Sequence, residues 1–269
     1  MNPLWMLDAP PPAADARLPY GDGEHHFGEL RLPPGAGPHP VVLVVHGGFW
    51  RARYGLEHVG HLCADLAKRG FATWSLEYRR VGHPGGGWPG TLEDVARGAD
   101  HLRTLANSWP LDLDRVVVLG HSAGGHLGLW LAARHRFLPG QPHHHPAPLP
   151  MRGVVSLAAV SDLVRAQELG LGDGIVETFA GGPPSQCPEP YRLGSPMALV
   201  PLGVRQVLLH GTQDNIIPLS LSVAYQARAA ALGDDVQLVT LPNAAHFEVI
   251  NPLAPEWEQV VEAIRSFGT

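Results

Sequence analysis

Residues Arg115–His126, RVVVLGHSAGGH, decide how this chain is read. Val116–Leu119 is an apolar, mostly β-branched run with no polar alternation, the pattern of a strand buried on both faces. The run stops at Gly120, and HLGLWLAARHR at 126–136 continues as a helix. Between them stands Gly120-His121-Ser122-Ala123-Gly124, a G-x-S-x-G at a strand-to-helix junction. A serine at such a junction sits on a sharp, strained turn that leaves its hydroxyl accessible, and the flanking glycines let neighbouring backbone approach. The helix that follows directs its first N–H groups toward any negative charge developing there. Elsewhere in a glycine-rich chain this pentapeptide would be weak evidence. Its position makes Ser122 a candidate nucleophile.

The units on either side repeat the same logic. VVLVV at Val41–Val45 is another buried strand, and a helical pattern over Glu57–Arg69 ends at Gly70. Phe71–Glu77 is a strand, and Thr91 opens a helix with Asp94 three residues on as a variant capping box. Strands follow at Gly153–Ala158, Val204–His210 and Val236–Leu241, with helices at Leu219–Leu232 and Glu256–Phe267. Two short extended segments, Arg17–Tyr20 and Phe27–Leu32, precede the series. Buried strands alternating with helices predict an α/β fold with a mostly parallel sheet covered on both faces. Residues 1–269 are read as one domain, with an irregular, cap-like insertion over 159–200.

A second catalytic element follows the strand Val41–Val45 directly, as His46-Gly47-Gly48-Phe49-Trp50. Acyl transfer passes through a tetrahedral oxyanion that needs preorganised N–H donors, and glycines there keep Cβ atoms out of the way. The assigned donors are the N–H groups of Gly48, Phe49 and Ala123, with His46 bracing the loop. On these motifs the chain resembles the α/β-hydrolases of the esterase/lipase group. HGGFW and GHSAGGHL are similar to the HGGxW arylformamidase (kynurenine formamidase) branch rather than to the HGGG esterases. The resemblance extends from about Val41 to the C-terminus and implies the triad order serine, acid, histidine. Asp214, in TQDNIIP just past the strand Val204–His210, fits the acid, with Asp162 as a rival. His246, in PNAAHF after Val236–Leu241, fits the base. Trp50, Trp88 and His121 are candidate pocket residues. The stretches 79–91 and 159–200 are expected to shape the pocket, with Gly82–Gly90 read either as a lip over it or as a passive crossover loop. His143-His144-His145 reads as a solvated loop.

The composition removes other classes. The 32 glycines and 27 prolines are about twice average usage, yet 45% of residues are hydrophobic and the net charge is only −6, which excludes disorder. Nineteen basic residues against 25 acidic ones give no footprint for nucleic acid. Cys63 and Cys187 make no disulfide framework. No apolar run reaches 18 residues and the start has no signal-peptide pattern, so a cytoplasmic protein without membrane span is expected. The function expected is a serine carboxylesterase acting on small acyl or aryl esters, a small-molecule substrate, with no metal and no cofactor. Arylformamidase activity and promiscuous acyl transfer are alternatives. A non-enzymatic binding protein on this fold usually lacks a triad member, and none is missing here.

Overall fold

A computed structural model describes residues 4–268. Eight strands run β1 Ala16–Pro19, β2 Phe27–Arg31, β3 His39–Val45, β4 Ala72–Leu76, β5 Leu111–His121, β6 Gly153–Leu157, β7 Arg205–Gly211 and β8 Val236–Leu241. The helices are α1 Trp5–Asp8, α2 Gly60–Lys68, α3 Gly90–Asp100, α4 Leu102–Leu105, α5 Ala123–Ala133, α6 Leu163–Glu168, α7 Leu171–Ala180, α8 Pro188–Gly194, α9 Pro196–Leu199, α10 Leu219–Ala231 and α11 Trp257–Arg265. The strands form one sheet in the order β1-β2-β4-β3-β5-β6-β7-β8. β2 pairs antiparallel with both β1 and β4, and the run from β4 to β8 is parallel.

The apolar strands divide their side chains between two cores, as a period of two requires. Val41, Leu43 and Val45 of β3 enter one core with Leu92 and Val95 of α3, Leu127 and Trp130 of α5, and Leu221 and Tyr225 of α10. Val42 and Val44 enter the other, with Leu62 and Leu66 of α2 and Trp257, Val260 and Ile264 of α11. Each fully buried large apolar side chain contributes roughly 1.5–3 kcal/mol, so helices on both faces are held by the same strands. The parallel register leaves the carboxyl ends of β3, β5, β7 and β8 along one edge, where an open α/β sheet places its ligands.

Two local expectations change, and the short helices expected in the 159–200 insertion are located. Thr91 and Asp94 form no capping box: α3 begins at Gly90, and the Thr91 hydroxyl donates to the Arg79 carbonyl at 2.5 Å. Asp94 is buried and accepts from the Arg79 side chain, so a tertiary ion pair takes the carboxylate that a cap would have used. The 159–200 region is mostly helical, α6 to α9, with three consecutive left-handed residues at Gly172, Asp173 and Gly174. His143 is not solvated: its ring packs edge-on to Trp88 and Trp130, and burial pushes its pKa down to about 4.

Candidate active site

β5 ends at His121, and Ser122 takes φ 57°, ψ −118° before α5 starts at Ala123. A non-glycine residue in that region costs about 1–3 kcal/mol and persists only where its surroundings impose it. The surroundings are visible: the Ser122 N–H donates to the Leu157 carbonyl of β6 at 2.8 Å, and its own carbonyl accepts from His126 at 3.1 Å. A Cβ on Gly124 would overlap the carbonyl oxygens of Val45 and His46, so the start of α5 lies against the end of β3, backbone to backbone. That contact sets Ser122 beside the HGGFW loop.

Asp214 follows β7 and His246 follows β8. Asp214 Oδ1 accepts the N–H groups of Ile216 and Ile217 at 2.9 and 2.8 Å, and Oδ2 accepts His246 Nδ1–H at 2.7 Å. Burial opposes ionisation of Asp214. Hydrogen bonds from His210 and His246 outweigh it and hold the carboxyl below the usual carboxylate range. With Nδ1 committed to Asp214, Nε2 is the ring nitrogen of His246 left for proton transfer, and Ser122 and His246 line one cavity. The rival acid Asp162 is occupied elsewhere, capping α6 by accepting from Val164 and Arg165 N–H at 3.0 and 3.1 Å. His121 donates from Nε2 to the His246 carbonyl at 2.9 Å. Burial, then the neighbouring His246, lower its pKa well below the usual histidine value, so it is a neutral strut on the base.

Gly48 and Phe49 line the same cavity as Ser122, with φ of 109° and 50°. The loop they form is braced from behind. His46 stacks on Tyr78 with centroids 4.4 Å apart and meets Glu77 at 3.2 Å, while the Tyr78 hydroxyl donates to the His46 carbonyl at 2.7 Å. Burial works against the Glu77 charge, but His46, Arg80 and the Tyr78 N–H keep its carboxyl below the ordinary range. Glu77 and Tyr78 are thus the foundation of the HGGFW loop, while the next residue, Arg79, turns to Asp94.

Two pocket candidates are misplaced. The Arg51 N–H returns to the Gly48 carbonyl at 3.0 Å, and this tight turn sends Trp50 inward, fully buried, stacked on Phe179 at 4.6 Å. Trp88 is drawn to α7 by its N–H bond to the Phe179 carbonyl at 2.7 Å and packs against His143. Neither lines the cavity. His121 does.

The cavity is about 330 Å³. Its apolar wall is Leu4, Leu7, Phe49, Ile216 and Phe247, and its polar wall adds Tyr54 and His58 to His121 and the catalytic candidates. Neither 79–91 nor 159–200 contributes a lining residue, which corrects the expectation that those loops shape the pocket. The insertion acts one step removed: Phe49 packs near Gly172, and Arg51 donates to the Gly172 carbonyl. The unexpected wall is α1. It is strapped across the second core by buried Met6, by the Trp5 indole donating to Asn251 Oδ1 at 3.1 Å, and by His61 donating to the Ala9 carbonyl at 3.1 Å. The apolar spacing of Leu4 and Leu7 was visible in the sequence, but a four-residue helix carries no periodicity from which to place it.

Among known proteins, the family model BD-FAE matches residues 29–228. The chain is 27% identical to esterase LipC of Mycobacterium tuberculosis, over 86% of its own length and 59% of the relative's. It is 25% identical to the isoprenylcysteine alpha-carbonyl methylesterase ICME of Arabidopsis thaliana, over 86% of its length and 56% of the relative's. It therefore spans less than two thirds of the curated relatives it matches. A truncated carbohydrate esterase from gut microbiota superposes with TM-score 0.79 at 18% identity, covering 93% of this chain and 94% of that one. Esterase 2 of Thermogutta terrifontis superposes with TM-score 0.76 at 19% identity, covering 95% and 93%. The arrangement of strands is theirs, and by the match over most of its length the chain belongs to the BD-FAE family, built on the α/β-hydrolase fold.

Proposed function

We propose that the protein is a serine hydrolase that cleaves small, uncharged carboxylic esters through Ser122, His246 and Asp214. The observation that carries this reading is Ser122 on a strained strand-to-helix turn, in one cavity with a His246 whose Nδ1 is bonded to a buried Asp214. In this mechanism His246 Nε2 takes the Ser122 proton as Oγ attacks the acyl carbon, and Asp214 stabilises the imidazolium. The N–H groups of Gly48, Phe49 and Ala123 receive the oxyanion. His246 then protonates the departing alcohol, and the same nitrogen activates water to release the acid.

The cavity supports the substrate class. Its volume of about 330 Å³ lies at the small end of the roughly 300–1,000 Å³ typical of ligand sites. Among the described residues no Lys, Arg, Asp or Glu lines it. Burial, with His46 and Arg80 nearby, pushes the His58 pKa down to about 4, and His121 lies lower than usual too. A charged acyl or alcohol group would find no partner there and would lose its hydration. The esterase names of the relatives support the same reaction.

The test is a kcat/KM panel of p-nitrophenyl acetate, butyrate and octanoate, acetylated sugars and N-formylkynurenine, with Ser122→Ala alongside wild type. Short neutral esters turn over, and Ser122→Ala lowers kcat by about 10⁶. Retention of more than a tenth of wild-type activity removes Ser122 from this role. Rapid formamide cleavage with negligible ester turnover overturns the substrate class.

A further inference from the structure

His210, the penultimate residue of β7, is fully buried four residues before Asp214. Its Nε2 lies 2.9 Å from the Ile217 carbonyl and 3.3 Å from Asp214 Oδ2. Both atoms can only accept, so Nε2 carries the proton. Its Nδ1, 2.8 Å from the Oγ of buried Ser222 on α10, then accepts from that hydroxyl. The imidazole has one tautomer available to it, and that tautomer donates toward the acid.

Asp214 is consequently held at both oxygens. Oδ1 takes two backbone N–H groups, while Oδ2 is shared between His246 at 2.7 Å and His210 at 3.3 Å. The Nε2–H is hydrogen-bonded to the Ile217 carbonyl at 2.9 Å, and the same N–H lies 3.3 Å from the acid's functional oxygen, near enough to share its positive end with that oxygen while a hydroxyl fixes the ring's other nitrogen. We infer that His210 is a positioning residue for the proposed triad: its N–H fixes the plane of the Asp214 carboxylate and limits how much negative charge that oxygen presents to His246. This rests on the triad reading of the preceding section.

Replacing His210 with a residue that cannot donate has two consequences. The carboxylate loses one of its four holds, so the base is aimed less well and kcat falls. The charge formerly shared falls on His246 alone, which favours its imidazolium and moves the acidic limb of the rate profile to higher pH. The other ionisable groups around the pair are His121 on the β5 side, His58 and Tyr54 across the cavity, and Glu248, which accepts the Ala245 N–H. None of them is substituted in the variants.

The experiment measures kcat, KM and the pH profile of kcat/KM on p-nitrophenyl acetate for His210→Leu, His210→Gln, Ser222→Ala and Asp214→Asn, with Tm to establish folding. His210→Leu is expected to lose about tenfold in kcat, the worth of one hydrogen bond to a charged group, with KM unchanged. Its acidic limb moves up by about half a pH unit or more. His210→Gln, whose side-chain amide can donate to the same oxygen, recovers most of both. Should His210→Leu fail to fold, Ser222→Ala gives a smaller shift of the same sign, because its hydroxyl strengthens the Nε2–H donor through the ring. A folded variant whose limb stays at the wild-type pH overturns the role of His210, whatever its kcat. If Asp214→Asn is inactive in that same series, the triad reading survives and only His210 is demoted. If Asp214→Asn keeps wild-type activity, the triad reading falls and this inference with it.

Discussion

Asp214→Asn changes one atom at the centre of the site, and the structure dictates how the amide must sit. Two backbone N–H groups point at Oδ1, from 2.9 and 2.8 Å, so the amide oxygen stays there and the amide nitrogen replaces Oδ2. That nitrogen then faces the N–H groups of both His246 and His210. Donor would meet donor, and one ring must move its proton. His210 cannot do so without turning a bare Nε2 toward the Ile217 carbonyl 2.9 Å away. His246 yields instead, putting its proton on Nε2, the nitrogen that should take one from Ser122. The loss has an electrostatic part as well. At an effective dielectric of about 20, unit charges at the Asp214–His246 separation of 2.7 Å attract by about 6 kcal/mol. That is about four decades of rate, and it agrees with the roughly 10⁴-fold loss in kcat that a wrong-tautomer substitution causes in a serine protease triad. The assay is kcat on p-nitrophenyl acetate near neutral pH, with Tm as a folding control. A folded Asp214→Asn protein within about tenfold of wild-type kcat would refute both the tautomer argument and the assignment of the acid.

The remaining expectations concern specificity and pH. Leu7→Ala opens the wall that α1 provides and shifts preference from acetate toward butyrate and longer esters, by about tenfold per accommodated methylene. Leu7→Trp shifts it the other way, and a chain-length profile that neither variant moves would remove α1 from the pocket. Burial holds His126 to about 4, and His58 and His143 to about 4 with added repulsion from neighbouring charges. Unfolded, each binds its proton near 6.5, so between those values the unfolded chain carries more protons and stability falls with acidification. Asp214 and Glu77 withdraw their contribution only lower, as pH falls below the usual carboxylate range toward their depressed values. A Tm that stays level from about pH 7 to about pH 4.5 contradicts the three imidazole assignments.

Much of this site could be read in one dimension because each element is local. A strand followed without a break by G-x-S-x-G and a helix is complete within twelve residues, and HGGFW needs only the strand before it. Asp214 and His246 lie far from Ser122 in sequence, yet parallel strands deliver their carboxyl ends to one edge, so position after a strand, together with the order that the family resemblance implies, was enough to nominate them. Choosing Asp214 over Asp162 was harder. Both follow buried strands, and only the folded chain has Asp162 capping α6 while Asp214 meets His246.

Trp50 and Trp88 failed as pocket residues for a different reason. Their neighbours in sequence are loop residues, but the direction of a loop side chain is set by its turn and by backbone bonds to other segments, here the Gly48–Arg51 turn and the Val81 N–H for Trp50, and the Phe179 carbonyl for Trp88. The same holds for what replaced them. Leu4 and Leu7 reach the cavity because Met6, Trp5 and Ala9 are tied to residues as remote as Asn251. His210 looked like the last residue of a strand until Ser222 and Ile217 fixed its ring.

The doubled glycine and proline content, which a composition table places near disorder, falls mostly in the connections and leaves the strands apolar. Hydrophobic period and turn chemistry act over a few residues, so the sequence alone established the βα framework and nominated the strand-to-helix turn at Ser122, while the order of the proposed triad came from the family resemblance. The walls of the pocket and the second imidazole on the acid depend on contacts between residues tens to hundreds apart. Their geometry arises from packing the two cores, so only the tertiary structure could decide them.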